Sequence, residues 1–277
     1  MLLHCWAVIG LAMAVGIAWP VTIPLVVMVV GTRQLGLFIL MHDAAHGLLH
    51  PSRRINDTAA VWFGGSELRA YRPYHLQHHR YVQQSADPDL VLSAPFPVSP
   101  ASLKRKIMRD LTGQTFIKQR FGSLVKKFKA RKPGESALAL VASEVKAQRV
   151  FFATNIIGFA LFAAAGLWWV WALMWLLPMA TWLPLVTRLR NIAEHALVAE
   201  NNADPLRHAR TTHANLFERA LIAPYWVNYH GEHHMFTQIP CWNLPKAHRI
   251  LASKGLTARM EVQPSYPAVL RLASSRR

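Results

Sequence analysis

The chain has 277 residues, of which 52% are hydrophobic and 16% charged, with positive mean hydropathy and a formal net charge of +17. A water-soluble globular chain carries nearer a quarter charged residues, so the composition points to a membrane protein. The two cysteines, Cys5 and Cys241, are far apart, which excludes a disulfide framework and a C-x-x-C redox pair.

Residues 2–32 contain no Asp, Glu, Lys or Arg, and neither do residues 150–187. Each run is long enough for two passes through a hydrocarbon core of about 30 Å, at about 20 apolar residues per helix. The expected fold is therefore an all-α integral membrane protein with four transmembrane helices in two hairpins, at about residues 2–18, 20–41, 150–165 and 169–187. No basic residue precedes the first run, which outlasts the apolar part of a secretory signal peptide, so it reads as membrane helix. Trp19, Pro20 and Pro24 mark the first hairpin turn, because proline is tolerated in an opening helical turn and aromatics favour the interface. If the second helix continues to His46 it rises about 40 Å, beyond the apolar core. Its last turns then carry His42 and His46 into the headgroup and water region. Arg33 and Gln34 lie two to three turns below them, either lining a channel or packed inside the bundle.

Residues 47–100 are polar and proline-spotted, and they hold His75, His78 and His79 at i, i+3 and i+4, one face of a helix. Residues 101–132 are strongly basic, with Asp110 the single acid. Leu103, Ile107 and Leu111, then Ile117, Phe121, Leu124, Val125 and Phe128, interleave at helical spacing, which reads as one or two amphipathic helices on an anionic membrane face. The basic residues flank the spans and follow the positive-inside tendency, so the net charge reads as topology and no nucleic-acid partner is expected. The fourth helix, continued to His195, repeats the overshoot of the second. Arg188 and Arg190 mark its exit on the basic, cytoplasmic side, and four spans then place both triple-histidine segments on that same face. A mildly apolar stretch, 216–227, leads into His230, His233 and His234, again at i, i+3 and i+4. Residues 1–277 read as a single domain.

Neutral imidazole suits iron, zinc, copper and nickel, and nine histidines are too many for one tetrahedral zinc. The chain has no Glu-x-x-His pair of the soluble di-iron bundles and no His-Glu-x-x-His of the zinc proteases. What remains is an all-histidine, two-metal site at a membrane surface.

His42-Asp-Ala-Ala-His46, His75-Leu-Gln-His78-His79 and His230-Gly-Glu-His233-His234 resemble the three histidine boxes of the membrane fatty acid desaturases and their hydroxylase and carotenoid-oxygenase relatives. The likeness runs from the second helix to Pro245 and includes box order, the intervening hairpin and Asp87-Pro88-Asp89 after the second box. Asn191-Ile-Ala-Glu-His195 is similar to the Asn-x-x-x-His element of that family. The resemblance implies two iron ions, O2 as co-substrate and desaturation of a long-chain acyl lipid in the membrane. The ligands it implies are His42, His46, His75, His78, His79, His195, His230, His233 and His234, with Asn191 acting through a metal-bound water. Asp43, Asp87, Asp89, Glu194 and Glu232 are candidates to orient ligand rings through their second nitrogens. His4, His50, His208, His213 and His248 match no box and are read as structural.

The chain has no haem motif, iron–sulfur cysteines or Gly-x-Gly-x-x-Gly, so electrons would come from a separate ferredoxin or cytochrome b5-like donor. The basic face suits an acidic carrier. Two other readings stand beside this one. A hydroxylase or carotenoid ketolase would use the same site. A non-catalytic membrane metal-binding or transport protein would be expected to carry ionisable residues at midplane, which the charge-free runs lack.

Overall fold

A computed structural model describes residues 1–199 and 204–276. Their regular structure is helical apart from one small parallel sheet, β1 (Arg210–Thr212) with β2 (Glu261–Gln263). The first helix, α1 (Leu2–Ala18), turns at Trp19 into α2, which runs Pro20–Ala45 once its opening 3₁₀ turn is included. Pro20 and Pro24 fit that opening because first-turn amides have no helical acceptor. At the other end Gly47 adopts φ +81. Its N–H and that of Leu48 bond back to the carbonyls of Ala44 and Asp43, each at 3.0 Å, a Schellman closure that fixes where the last turn of α2 points.

Two short helices follow, α3 (Arg53–Gly64) and α4 (Leu68–Tyr81), and then a single turn, α5 (Leu90–Ser93). The basic segment forms α6 (Pro100–Leu111) and α7 (Gln114–Lys129). Met108, Ile117, Phe121, Val125 and Phe128 are exposed along them, so each helix presents apolar residues among its cations. Buried Asp110 ties α6 into the molecule through Arg188, whose Nε and Nη2 donate to the carboxylate at 2.5 and 2.8 Å.

The second apolar run is divided differently from the first. Helices α8 (Ala137–Ala147) and α9 (Arg149–Ala164) meet at a 77° bend. A turn at Gly166, φ +72, then starts α10 (Trp168–His195). Inside α10 a π segment covers Ala172–Leu176, and Thr181 departs from helical dihedrals at φ −122 and ψ −69. Pro178 and Pro184 explain both, since a proline ring collides with the carbonyl four residues earlier. The Trp175 carbonyl in the π segment accepts Gln34 Nε2 of α2 at 2.9 Å.

Two helices, Pro20–Ala45 and Trp168–His195, are each long and apolar enough to cross a membrane, with 26 and 28 residues; α8 with α9 adds a third only if counted across the bend. By length the four expected spans are thus two or three. Helix α1 has 17 residues and α9 has 16, which rise only about 25 Å against a core of about 30 Å. The Gly166 turn limits α9, because it hands the remainder of the apolar run to α10.

The chain closes with α11 (Leu216–Leu221), α12 (His230–Met235), α13 (Leu244–Ser253) and α14 (Tyr266–Ala273). One apolar core joins α1, α2, α10 and α14 through residues such as Ile9, Val30, Leu40, Met174, Ile192 and Val269.

Candidate metal centre

Four helices converge at one end of the core. The last turn of α2 brings His42 and Gly47-capped His46; α4 brings His75, His78 and His79; α10 ends on His195; and α12 carries His230, His233 and His234. The nine imidazoles sort into two groups. His42, His46, His75, His79 and His233 place one nitrogen each within 4.8 Å of one another, and so do His78, His195, His230 and His234. The groups adjoin: the rings of His79 and His234 lie 4.3 Å apart, centre to centre.

Helical geometry explains how the boxes are shared. At about 100° per residue, an i, i+4 pair is separated by about 40° around the axis while the i+3 residue lies about 60° to the other side. In α4 the pair His75 and His79 goes to the group of five and His78 to the group of four. In α12 the sense reverses, His230 and His234 joining the four and His233 the five.

The nitrogens form close chains. Nε2 of His75 is 2.9 Å from that of His46 and 3.0 Å from that of His79, which is 3.0 Å from that of His233. In the other group, His230 Nε2 is 3.0 Å from both His195 and His234, and His234 is 3.3 Å from His78. Buried His42 Nε2 has no hydrogen-bond partner. An imidazole nitrogen carries either a proton or a lone pair. A cation at the centre of each group satisfies every lone pair at once, so the donor set fits metal.

Protonation is also arranged for metal. Burial, reinforced by neighbouring imidazoles, holds His75, His230, His233 and His234 far below the usual imidazole range. Burial and then the Arg72 guanidinium lower His46 to about 4, while burial and then His46 and His78 lower His79 to about 3. Neutral imidazole is the form that ligates.

Behind the rings stand the carboxylates. Asp87 accepts from His78 Nδ1 at 2.8 Å and also from the backbone N–H groups of Asp89 and Gln83, at 2.8 and 2.9 Å. Gln83 in turn donates to the His195 carbonyl at 2.9 Å. Asp89 accepts the Tyr74 hydroxyl and lies 3.8 Å from His78 Nδ1. Asp43 sits 3.5 Å from His42 Nδ1 and accepts the Cys241 N–H at 2.9 Å. Glu194 is 3.5 Å from His230 Nδ1 and pairs with Arg190 at 2.5 Å. Glu232 faces away from the box histidines: it holds His248 Nδ1 at 2.6 Å and Thr211 Oγ1 at 2.5 Å. Asn191 borders a cavity of about 160 Å³ beside the group of four, with Tyr71, Tyr74, Asp89, Arg190 and Glu194 around it.

Sequence reasoning missed three contributors. Tyr71 stacks on His75 at 5.2 Å and 9° between planes. Arg190 is the charge partner of Glu194, and their i, i+4 spacing was the available signal. His248 supports the third box through Glu232, and nothing in its local sequence marks it.

The family model described as fatty acid desaturase matches residues 17–264. Dihydrorhizobitoxine desaturase of Bradyrhizobium elkanii is 28% identical over 240 residues, which cover 82% of this chain and 67% of that protein. Beta-carotene ketolase of a Paracoccus sp. is 25% identical over 241 residues, covering 81% of this chain and 77% of that one.

Proposed function

The chain belongs to the fatty acid desaturase family of membrane oxidoreductases, and from that premise we propose that it desaturates a long-chain acyl lipid at a di-iron centre with O2 as co-substrate. The observation that carries this reading is the sorting of nine imidazoles into a group of five and a group of four, each with its nitrogens within 4.8 Å of one another. His42, His46, His75, His79 and His233 would hold one iron; His78, His195, His230 and His234 would hold the other, with Asn191 positioning a water beside it. Iron bound there supplies O2 activation and the redox chemistry that oxidation of an unactivated C–H bond requires.

The protein's own residues do the rest. Asp87 takes the His78 Nδ1–H and so leaves Nε2 free to ligate. Neutral ligands add no negative charge, which keeps the centre cationic and reducible. Helices α2 and α10 outrun the apolar core by about 10 Å, and a chain lying among the helices would meet the histidines there. Burial holds one methylene in place, and that placement decides which bond is oxidised. In this reading α1 and α9 complete the two hairpins, giving four spans with the boxes on the cytoplasmic face. An acidic ferredoxin or cytochrome b5-like protein delivers electrons to the basic surface, and nucleic acid has no part.

The likeness to a protein named a ketolase supports a second outcome at the same centre, a hydroxyl or keto group in place of the double bond. Metal transport is disfavoured by the position of all nine histidines at helix ends or beyond them. The test is product analysis. Iron-loaded protein in acyl phospholipid vesicles, given O2 and a reduced carrier, should yield acyl chains lighter by two hydrogens and containing a new double bond. Products that gain oxygen without a double bond would reject desaturation in favour of the second outcome.

A further inference from the structure

Arg33 lies inside the α2 span, and the histidine centre does not use it. It precedes His42 by nine residues, which at about 100° and 1.5 Å per residue puts it on the opposite face and about 14 Å down the axis. The residue is only 9% exposed, and its Nε is buried without a hydrogen-bond partner. Nη2 donates to the Ala220 carbonyl at 3.3 Å, and the guanidinium carbon is 5.5 Å from the centre of the Tyr225 ring. Neither partner carries charge. Glu218, the acid on the facing helix, is turned elsewhere: it accepts from the backbone of Asn215 at 2.8 Å and of Tyr266 at 3.1 Å.

Arg33 borders a cavity of about 600 Å³ between the start of α1, α2 and residues 216–226, and the lining contains no carboxylate. His4 and Arg219 add basic character to it, His4 meeting the Tyr225 hydroxyl at 3.1 Å. Tyr225 and Trp226 both hold left-handed backbone, φ +52 and +56, a conformation costly for such side chains. Leu216 in the lining and Phe217, next to it in the chain, are largely exposed. A basic pocket with an apolar rim, beside a membrane span, matches an amphiphile with an acidic head.

We propose that this cavity binds the oxyanion head of a lipid, phosphate or carboxylate, with Arg33 and Arg219 as counter-charges and its chain against Leu216 and Phe217. A cation within a span needs a partner, and the bound head provides one. The site lies on the face of α2 away from the histidines, so it stands independently of the reaction proposed above.

The test uses the full, iron-loaded chain in neutral detergent, mixed with dioleoyl phosphatidylglycerol, oleate, dioleoyl phosphatidylcholine or inorganic phosphate, with retention read by native mass spectrometry. Phosphatidylglycerol or oleate should be retained about tenfold better than phosphatidylcholine, and Arg33→Gln should remove that preference, as loss of a charge-assisted hydrogen bond implies. Arg219 is exposed, so Arg219→Gln keeps the fold and should weaken retention in the same direction. Unchanged iron content shows that both variants are folded. Preference for phosphatidylglycerol identifies a phosphate head, and preference for oleate a carboxylate. Inorganic phosphate held as tightly as either lipid overturns the lipid assignment. Phosphatidylcholine held equally well, or retention unchanged in both variants, overturns the site.

Discussion

Replacing Asp87 with Asn changes one atom and should unbalance half of the metal centre. The carboxylate accepts three hydrogen bonds, from His78 Nδ1 and from the backbone of Asp89 and Gln83, at 2.8, 2.8 and 2.9 Å. Asparagine offers one oxygen and turns an NH2 donor toward a position where a donor already points. A buried donor left facing a donor costs about 1–3 kcal/mol of stability. Loss of a partner behind a metal-ligating histidine lowers metal affinity by about 10–100-fold, or about 1.4–2.8 kcal/mol. The damage should fall on the group of four. Asp87 holds His78 directly and His195 through Gln83, and both belong to that group. Chelator competition followed by metal analysis reads this: Asp87→Asn should release one metal at a chelator concentration about 10–100-fold lower than wild type, with the other unaffected. Simultaneous release of both metals, or a wild-type release curve, would refute the assignment of Asp87 to one group.

Three further outcomes are expected. His46 and His79 ionise near 4 and 3 in the fold but near 6.5 when unfolded, so the unfolded chain binds more protons in between. Stability of the metal-free protein should be full above about pH 6.5 and fall as the pH drops toward 4; a melting temperature equal or higher at pH 5 than at pH 7.5 would contradict this. A Cβ on Gly158 would sit 2.0 Å from Trp171 Cη2, whereas one on Gly10 meets nothing within 4 Å. Gly158→Val should therefore lower the melting temperature through a loss of about 1–3 kcal/mol, while Gly10→Ala is neutral or stabilising by up to about 1 kcal/mol. Asp110→Ala strands Arg188 and should cost about 3 kcal/mol in denaturant unfolding, at the low end for a broken buried pair because Arg188 is partly solvated. Its metal content should stay at the wild-type value.

The donor residues could be read from the chain because i, i+3, i+4 spacing is a local property. His75, His78 and His79 share a helix face whatever surrounds them, and the overshoot of α2 follows from its length alone. The division into five and four could not be read, since it depends on how α4 and α12 are rotated against α2. The same holds for Glu232. It was a candidate to orient a ligand ring, but α12 turns it toward His248 on α13, which matches no box. The cutting of the apolar runs into spans was less legible for a related reason: absence of charge marks apolar chain, while Gly166 and the bend before α9 decide how that chain is divided into helices. Arg33 stood out in the sequence as a charge below the histidines, but its cavity is built by residues almost 200 positions further on.

The two-metal centre can be measured as the iron content of protein purified anaerobically in detergent with iron supplied, beside His78→Ala. About two irons per chain are expected in the wild type and about one in the variant, since His78 belongs to the group of four alone. A single metal per chain, or zinc in both sites under those conditions, would contradict it.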